Sequence, residues 1–356
     1  MMLFRRAEMK DLEAIHTLAL ESGIGMTTLP KDIELLKKRL TWSCESFEKP
    51  VTSPLNEYYL FVLEDTEKQK IAGTSAIESS IGYDTPFYSY KLSRRTRISH
   101  TLSIRSDYEV LSLVNDNQGH SEICTLYLNP EYRKNGNGLL LSRARFLFMA
   151  HYPTRFAPII IAEMRGVSDE EGRSPFWEHV MQHFFKMPFP EADRLTLSTN
   201  KQYIADLMPR NPIYVALLHP AAQAVIGNPH SSTEPAMKIL QTEGFRYNNY
   251  VDIFDAGPTI EAPINEIKTI SSSRVYTITS LSDAVCSKRY LLASTRLDYR
   301  ATIGSVIFDE AKGTCIISQA AAEVLELKKG DCIRLSPLQR EPETIAREGE
   351  ISHAKP

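Results

Sequence analysis

The stretch Ser121–Ala150, SEICTLYLNPEYRKNGNGLLLSRARFLFMA, runs from an apolar segment through a basic, glycine-rich loop into a second apolar segment. Glu122–Leu128 reads as a strand. Leu139–Ala150 reads as a helix, because Leu140, Ala144, Leu147 and Phe148 recur at i, i+4, i+7 and i+8 and give it a buried stripe. Between them lie Arg133, Lys134, Gly136 and Gly138. Glycines let a backbone approach an anion closely, a helix start is electropositive, and the two basic side chains add charge-assisted bonds. The expectation is a phosphate site.

Outward from this stretch, Leu3–Ala7 reads as a strand and Asp11–Ser22 as a helix closed by Gly23. A second helical stretch, Pro30–Ser46, precedes an antiparallel hairpin formed by Tyr58–Asp65 and Lys70–Ser79. Residues 83–121 read as an insertion with some strand content, and residues 165–228 as a second one that contains an aromatic core helix in SPFWEHVMQHFF. Between the insertions, Pro158–Met164 is a strand. A helix, Ser231–Gly244, then ends in glycine before the strand FRYNNYVDIF. From Gly257 the character changes: GPTIEAP and SSSR frame a polar linker with a helix at Pro263–Ile270. Short strand-like runs follow, RVYTIT, KRYLLAS, YRATIGSVIF, TCIIS and DCIRLSPL, separated by turns. The expected division is therefore a mixed α+β unit at 1–258, a small β-rich unit at 259–338 and a charged, disordered tail at 339–356.

The chain has 356 residues, 42% of them hydrophobic, enough for two cored units. Its formal charge of −3 supplies no global basic field for nucleic acid. No segment approaches the length of apolar residues that a membrane helix requires. Five widely spaced cysteines without a CxxC pattern argue against a disulfide framework or a zinc knuckle and fit a reducing cytoplasm. His179 and His183 stand at i, i+4, but neither a third ligand nor an HExxH pattern accompanies them, and no metal is expected.

Arg133-x-x-Gly136-x-Gly138, between a strand and a helix, is similar to the R/Q-x-x-G-x-G/A pyrophosphate loop of the GCN5-related N-acyltransferase superfamily. That resemblance implies coenzyme A as ligand and a mixed, mostly antiparallel sheet flanked by helices, to which the β-rich C-terminal unit is an addition. The segments SEICTLYLNPEYR, NGNGLLLSRARFLFMA, IIAEMRGVSDEEGRSPFWE, HFFKMPF, LMPRNPIY, QAVIGNPH and EGFRYNNYVDIFDAGPT resemble the arginine N-succinyltransferase family over most of the first 260 residues. The resemblance implies succinyl transfer from succinyl-CoA, as co-substrate and not as a permanently bound cofactor, to the α-amino group of L-arginine, the first step of a route of arginine degradation. It assigns the acid/base role to His230, in Ile226-Gly227-Asn228-Pro229-His230, and the acyl-CoA contact to Leu126. Arg133, Lys134, Gly136 and Gly138 become the pyrophosphate cradle. An oligomer, of identical or related chains, is expected.

The chemistry fits those residue types. An α-amine is mostly protonated at neutral pH and must lose a proton before it attacks a thioester, and the departing thiolate gains from a donor. Histidine serves either task near pH 7. A backbone N–H at Leu126 on a splayed strand could hold the oxyanion. Glu122, on the same strand and read as a sheet-edge carboxylate, is a secondary base acting through water. Cys124 reads as a packing residue. Arg165 and Arg173 are candidates for the succinyl carboxylate, and Glu163, Asp169 and Glu171 for the guanidinium, with no choice among them. Ornithine or another amino acid as acceptor, and a non-catalytic coenzyme- or arginine-sensing module, are the alternatives.

Overall fold

The structure, a computed structural model, describes residues 1–23, 26–189, 191, 192, 195, 202–283 and 288–338. The expected tail at 339–356 lies outside them. Strand β1 (Met2–Arg6) leads to helices α1 (Leu12–Glu21) and α2 (Ile33–Glu48), the second capped by Asp32, whose carboxylate accepts from the N–H groups of Glu34 and Leu35. The expected hairpin follows as β2 (Tyr58–Asp65) and β3 (Lys70–Glu78). Residues 83–121 hold a second, longer hairpin, β4 (Ser89–Ser99) and β5 (Ile104–Val114). Next come β6 (Ser121–Leu128), α3 (Asn137–His151), β7 (Ile159–Glu163) and the short β8 (Ile213–Tyr214). Helix α4 (Glu234–Glu243), ended by Gly244, precedes β9 (Arg246–Val251) and β10 (Pro258–Pro263).

These strands form one sheet in the order β1-β2-β3-β6-β7-β10-β9-β4-β5-β8, in which β6 and β7 are the parallel pair and the other neighbours run antiparallel. Helix α5 (Lys268–Ser272) then leads into β11 (Arg274–Leu281), β12 (Arg289–Ser294), β13 (Arg300–Asp309), β14 (Thr314–Ile317), helix α6 (Gln319–Leu325) and β15 (Cys332–Pro337). Pairing in the order β13-β14-β11-β15-β12-β13 closes these five strands into a small barrel with its own core, built on Ile278, Leu292, Ile317, Leu325 and Ile333. Strand β13 also pairs with β1, so the barrel continues the edge of the first sheet.

Two readings change. The segment GPTIEAP, read as one edge of a polar linker, is strand β10, with Ile260 and Ala262 fully buried between β7 and β9. Its two prolines stand at the strand ends, where the missing N–H does least harm to the ladder. The barrel accordingly starts at Arg274 and not at residue 259, and the helix expected at Pro263–Ile270 forms only at Lys268–Ser272. The aromatic run is a π-turn, Trp177–Met181, that passes into Gln182–Phe185, with Phe176, Trp177 and Phe185 buried in a second cluster of the first unit.

Helix α3 carries the basic loop at its N-terminus and is buried on nearly every side, beyond the single stripe read from its sequence. One face lies on the sheet; the other meets α5 and the barrel, where the Tyr299 hydroxyl donates to the Ala144 carbonyl at 2.7 Å. Arg143 Nε forms a buried ion pair with Glu243 of α4 at 2.9 Å, and its Nη atoms donate to the carbonyls of Leu338 and Pro337. The loop that would hold an anion is thus mounted on an element clamped between both units.

Candidate active site

Strand β6 is irregular at its middle. It pairs with β3 at Ala76↔Cys124 and again at Thr74↔Tyr127, so Thr125 and Leu126 oppose Ser75 alone. This is a bulge: one extra residue in β6. Thr125 adopts φ 56°, a left-handed conformation that costs a β-branched residue free energy unless neighbours hold it. They do so here. Thr125 N–H donates to Thr28 Oγ1, its Oγ1 pairs with the Tyr58 hydroxyl, and its carbonyl accepts from Thr74 Oγ1 at 3.0 Å. On the other side β6 pairs with β7 only at Ser121↔Ile160 and Glu122↔Ile161. Beyond that point the two parallel strands splay.

A cavity of about 180 Å³ occupies the splay, with Glu122, Cys124, Thr125, Leu126, Arg145, Glu163, Arg165, Thr233 and Asp252 in its walls. It shares Thr27, Thr28, Glu122, Glu163, Asp252 and Phe254 with an adjoining cavity of about 430 Å³ that adds Arg39, Glu78 and Asp84. Glu122 is 7% exposed and lies between β3 and β7, so the expectation of a sheet-edge carboxylate is corrected. Of the charged residues weighed for the substrate's ends, Glu163 and Arg165 line the cavity. Arg173 is instead paired with Asp169 at 2.7 Å and Glu171 at 3.2 Å, all exposed. Cys124 is buried, and burial, with the nearby Glu122 charge, holds its thiol well above the ordinary range.

His230 lies beside this cavity, held between two of its wall residues: its N–H donates to the Arg165 carbonyl at 2.8 Å, and its carbonyl accepts from the Thr233 N–H at 2.9 Å. The loop that delivers it needs Gly227, which has φ 73° and whose added Cβ would stand 2.8 Å from the Tyr247 hydroxyl. Pro229 bridges to Gly166, whose N–H donates to buried Asp255 at 2.7 Å. Burial and the neighbouring Asp252 charge raise the Asp255 carboxyl well above its ordinary value. The Ser232 N–H donates to His230 Nδ1 at 3.1 Å, and the Ser232 hydroxyl lies 2.7 Å from the same atom. A backbone N–H can only donate, so in the neutral ring the proton sits on Nε2. Burial first, then the Arg165 guanidinium, lowers the pKa of this imidazole from its ordinary value. That shift, opposed by a hydrogen bond with the Ser168 backbone, favours the neutral ring, whose proton sits on Nε2.

The basic loop stands at the far end of β6, outside both cavities. Gly136 is the N-cap of α3 with φ 85°, and Arg133 Nε donates to the Leu128 carbonyl at 3.0 Å, which leaves its Nη groups to solvent. The N–H groups of Asn135, Gly136, Gly138 and Leu139 donate to no acceptor among the described residues. A cleft of about 600 Å³ adjoins the loop, lined by Tyr132, Lys134, Asn135 and Asn137 and, from the barrel, Arg289 and Thr302. Nothing lies within 4 Å of a Cβ built on Gly138, so Gly138→Asp fits sterically and tests charge alone. If a diphosphate binds there, that variant should raise the Kd for coenzyme A by tenfold or more, about 1.4 kcal/mol. Unchanged affinity in calorimetry would reject the cradle.

A family model described as "Arginine N-succinyltransferase beta subunit" matches residues 2–269, and one for that family's C-terminal domain matches 274–337. The chain belongs to the arginine N-succinyltransferase family. Among relatives of that name, the protein from Photorhabdus laumondii is 40% identical over 341 residues, 95% of this chain and 98% of the relative. The "Arginine N-succinyltransferase subunit beta" of Pseudomonas aeruginosa is 42% identical over 338 residues, with the same coverage. The solved structure of arginine/ornithine succinyltransferase subunit AI from Pseudomonas aeruginosa superposes with a TM-score of 0.87 at 35% identity and covers 96% of this chain and 99% of that one. The two family segments meet between 269 and 274, at α5, where the barrel begins. Among the described residues no group of three or more His, Cys, Asp or Glu could hold a metal, and no helix is long and apolar enough to cross a membrane.

Sequence reasoning missed Thr28, Arg39, Glu78, Thr125, Arg145 and Asp252. They come from six separate elements or loops and share no local pattern. The signal that could have raised Arg145 was an arginine inside an apolar helix, at the position following the stripe residue Ala144.

Proposed function

We infer that this chain transfers the succinyl group of succinyl-CoA to the α-amino group of L-arginine, giving N2-succinylarginine and free CoA, with the chemistry centred on the β6–β7 splay. The observation that carries the reading is the pair of joined cavities. One end meets the bulged strand at Leu126; the other is lined by Glu78, Asp84, Glu122, Glu163 and Asp252, with Arg39 among them. Carboxylates suit a guanidinium, and one guanidinium suits an α-carboxylate, so an arginine molecule meets complementary charge at both ends.

In this scheme the first unit works as a GCN5-related N-acyltransferase fold. The loop Arg133–Gly138 holds the pyrophosphate of coenzyme A, and the thioester reaches through the splay to Leu126. Glu122 takes the amine proton through water. The amine nitrogen then attacks the thioester carbon, and the oxyanion accepts from the Leu126 N–H. Collapse of the tetrahedral species breaks the carbon–sulfur bond, the second proton of the acylated nitrogen passes to the departing thiolate, and the His230 Nε2–H stabilises that sulfur by donating it a hydrogen bond. The fixed tautomer favours that donor role over abstraction of the amine proton. Succinyl-CoA is a co-substrate, consumed in each turnover.

The relatives' names, "subunit beta" and "subunit AI", favour assembly with an identical or related chain. A reducing cytoplasm is the compartment the free thiols fit. The decisive experiment offers the twenty amino acids and ornithine together with succinyl-CoA. Succinylarginine should be the main product by mass, with ornithine the leading minor acceptor; equal turnover of neutral amino acids would sink the reading.

A further inference from the structure

Arg145 is 1% exposed and extends from α3 to the underside of the bulge. Its Nη1 donates to the carbonyls of Ala76 at 3.2 Å and Cys124 at 3.4 Å, the two residues paired just before the register shifts. Its Nε donates to the Ser142 carbonyl at 3.1 Å, and Nη2 to Ser142 Oγ at 3.4 Å. Every one of these acceptors is neutral, and the two at 3.4 Å are longer than ordinary hydrogen bonds. A guanidinium has five N–H donors, so one on Nη2 has no acceptor among the described residues.

Buried charges are ordinarily paired. Arg5 in this chain has Asp11 and Glu64, and Arg143 has Glu243. Arg155 is buried among neutral acceptors too, but its bonds to Ser46 and Lys49 carbonyls satisfy the C-terminus of α2, whose dipole favours a cation, and it lines neither cavity. Arg145 has neither a carboxylate nor a helix end, and it faces the cavity that also holds Leu126. Burial lowers its pKa to about 10, which leaves it charged at neutral pH.

We propose that the Arg145 guanidinium receives the distal carboxylate of the succinyl group, through the N–H that has no acceptor, and so selects a dicarboxylic acyl donor. The proposal rests on the acyltransferase reading given above. The thioester carbonyl and the distal carboxylate of succinyl are joined by only two methylenes, and the residues assigned to them are correspondingly close: Leu126 lies two positions beyond Cys124, whose carbonyl Arg145 holds. The remaining ionisable walls of that cavity are Glu122, Cys124, Glu163, Asp252 and Asp255, with Arg165 as the other cation. Arg165 stands next to His230 and bonds the Ser168 hydroxyl at 2.6 Å, at the end where the thiol leaves. An acyl chain without a carboxylate would leave Arg145 buried with no counter-charge, a penalty levied on the wrong donor.

Donor selectivity is the test. kcat/KM toward arginine is measured with succinyl-CoA and with butyryl-CoA, which has the same chain length and no carboxylate, for the wild type, Arg145→Met and Arg145→Lys. The wild type should prefer succinyl by about 100-fold, or about 2.7 kcal/mol. Arg145→Met should bring the ratio to within a few-fold of one, and Arg145→Lys should restore part of it. A folded Arg145→Met enzyme that keeps the wild-type ratio overturns the assignment while arginine acylation stands; a wild type that acylates arginine from no donor overturns the reading beneath it. Should Arg145→Met fail to fold, the wild type bound to a non-reactive thioether analogue of succinyl-CoA decides. A carboxylate within hydrogen-bond distance of Arg145 supports the proposal, and one seated on Arg165 or Arg39 refutes it.

Discussion

His230→Ala should lower kcat by roughly 10²- to 10³-fold, the range for loss of one preplaced hydrogen-bond donor to developing charge, while the affinity for coenzyme A barely moves. The ring contributes nothing to the basic loop, which stands at the opposite end of β6. The pH profile should change in a defined direction. Burial and Arg165 lower the pKa of the imidazole, so it titrates below its ordinary value of about 6.5. Above that point Nδ1 accepts from the Ser232 N–H and Nε2 donates; below it Nδ1 gains a proton that opposes the Ser232 N–H, and the ring loses its orientation. The wild-type rate should therefore fall as pH drops through this ionisation, and His230→Ala should lack the bend. Both enzymes should rise toward alkaline pH with the free-amine fraction of arginine. His230→Gln, which keeps an N–H at similar reach, should recover part of the loss if hydrogen-bond donation is the main contribution. A folded alanine variant with near-normal kcat would show that the ring only shapes the turn before α4.

The second large effect concerns stability. Glu243 and Arg143 are both almost fully buried, and the carboxylate also accepts from the Thr269 N–H at 2.7 Å, so one ion pair ties α4, α3 and α5 together. Removing one partner of a buried pair leaves an uncompensated charge, and Glu243→Ala should destabilise the chain by about 3–5 kcal/mol, read from urea unfolding. The double variant Glu243→Leu with Arg143→Met should lose less than the sum of the two singles, since apolar replacements restore packing without a stranded charge. A cost below about 1 kcal/mol for Glu243→Ala would mean that water reaches Arg143 and that the α3 clamp is looser than its geometry implies.

What the sequence made legible was local. The hairpin β2–β3, strand β6 and helices α1 and α3 emerged from periodicity, because each contains its own apolar pattern. Helix α4 starts at Glu234 and not at Ser231, since the intervening turn is used by the carbonyl of His230. Arg143 and Arg145 fall outside the apolar stripe of α3, and nothing local shows them buried, because their acceptors lie elsewhere: on α4, on the last strand of the barrel and under the bulge. The bulge had no glycine to announce it; Thr125 is held in an unfavourable conformation by Thr28 and Tyr58, far away in sequence. His230 and Leu126 were reachable only through family resemblance, and the acidic cavity only through the fold.

The pairing of β1 with β13 sets a timetable for synthesis. The Thr302 hydroxyl donates to the carbonyl of Met2 at 2.7 Å, across 300 positions of chain. Strand β1 thus waits for β13 before its outer ladder is filled, and until then the barrel-facing side of α3 is bare as well. Such distant partners make folding slow and expose a sheet edge and apolar surface to other chains meanwhile. A nascent chain halted before β13 would carry its basic loop on an unfinished helix, so the barrel works as the closing step of assembly for the unit that precedes it.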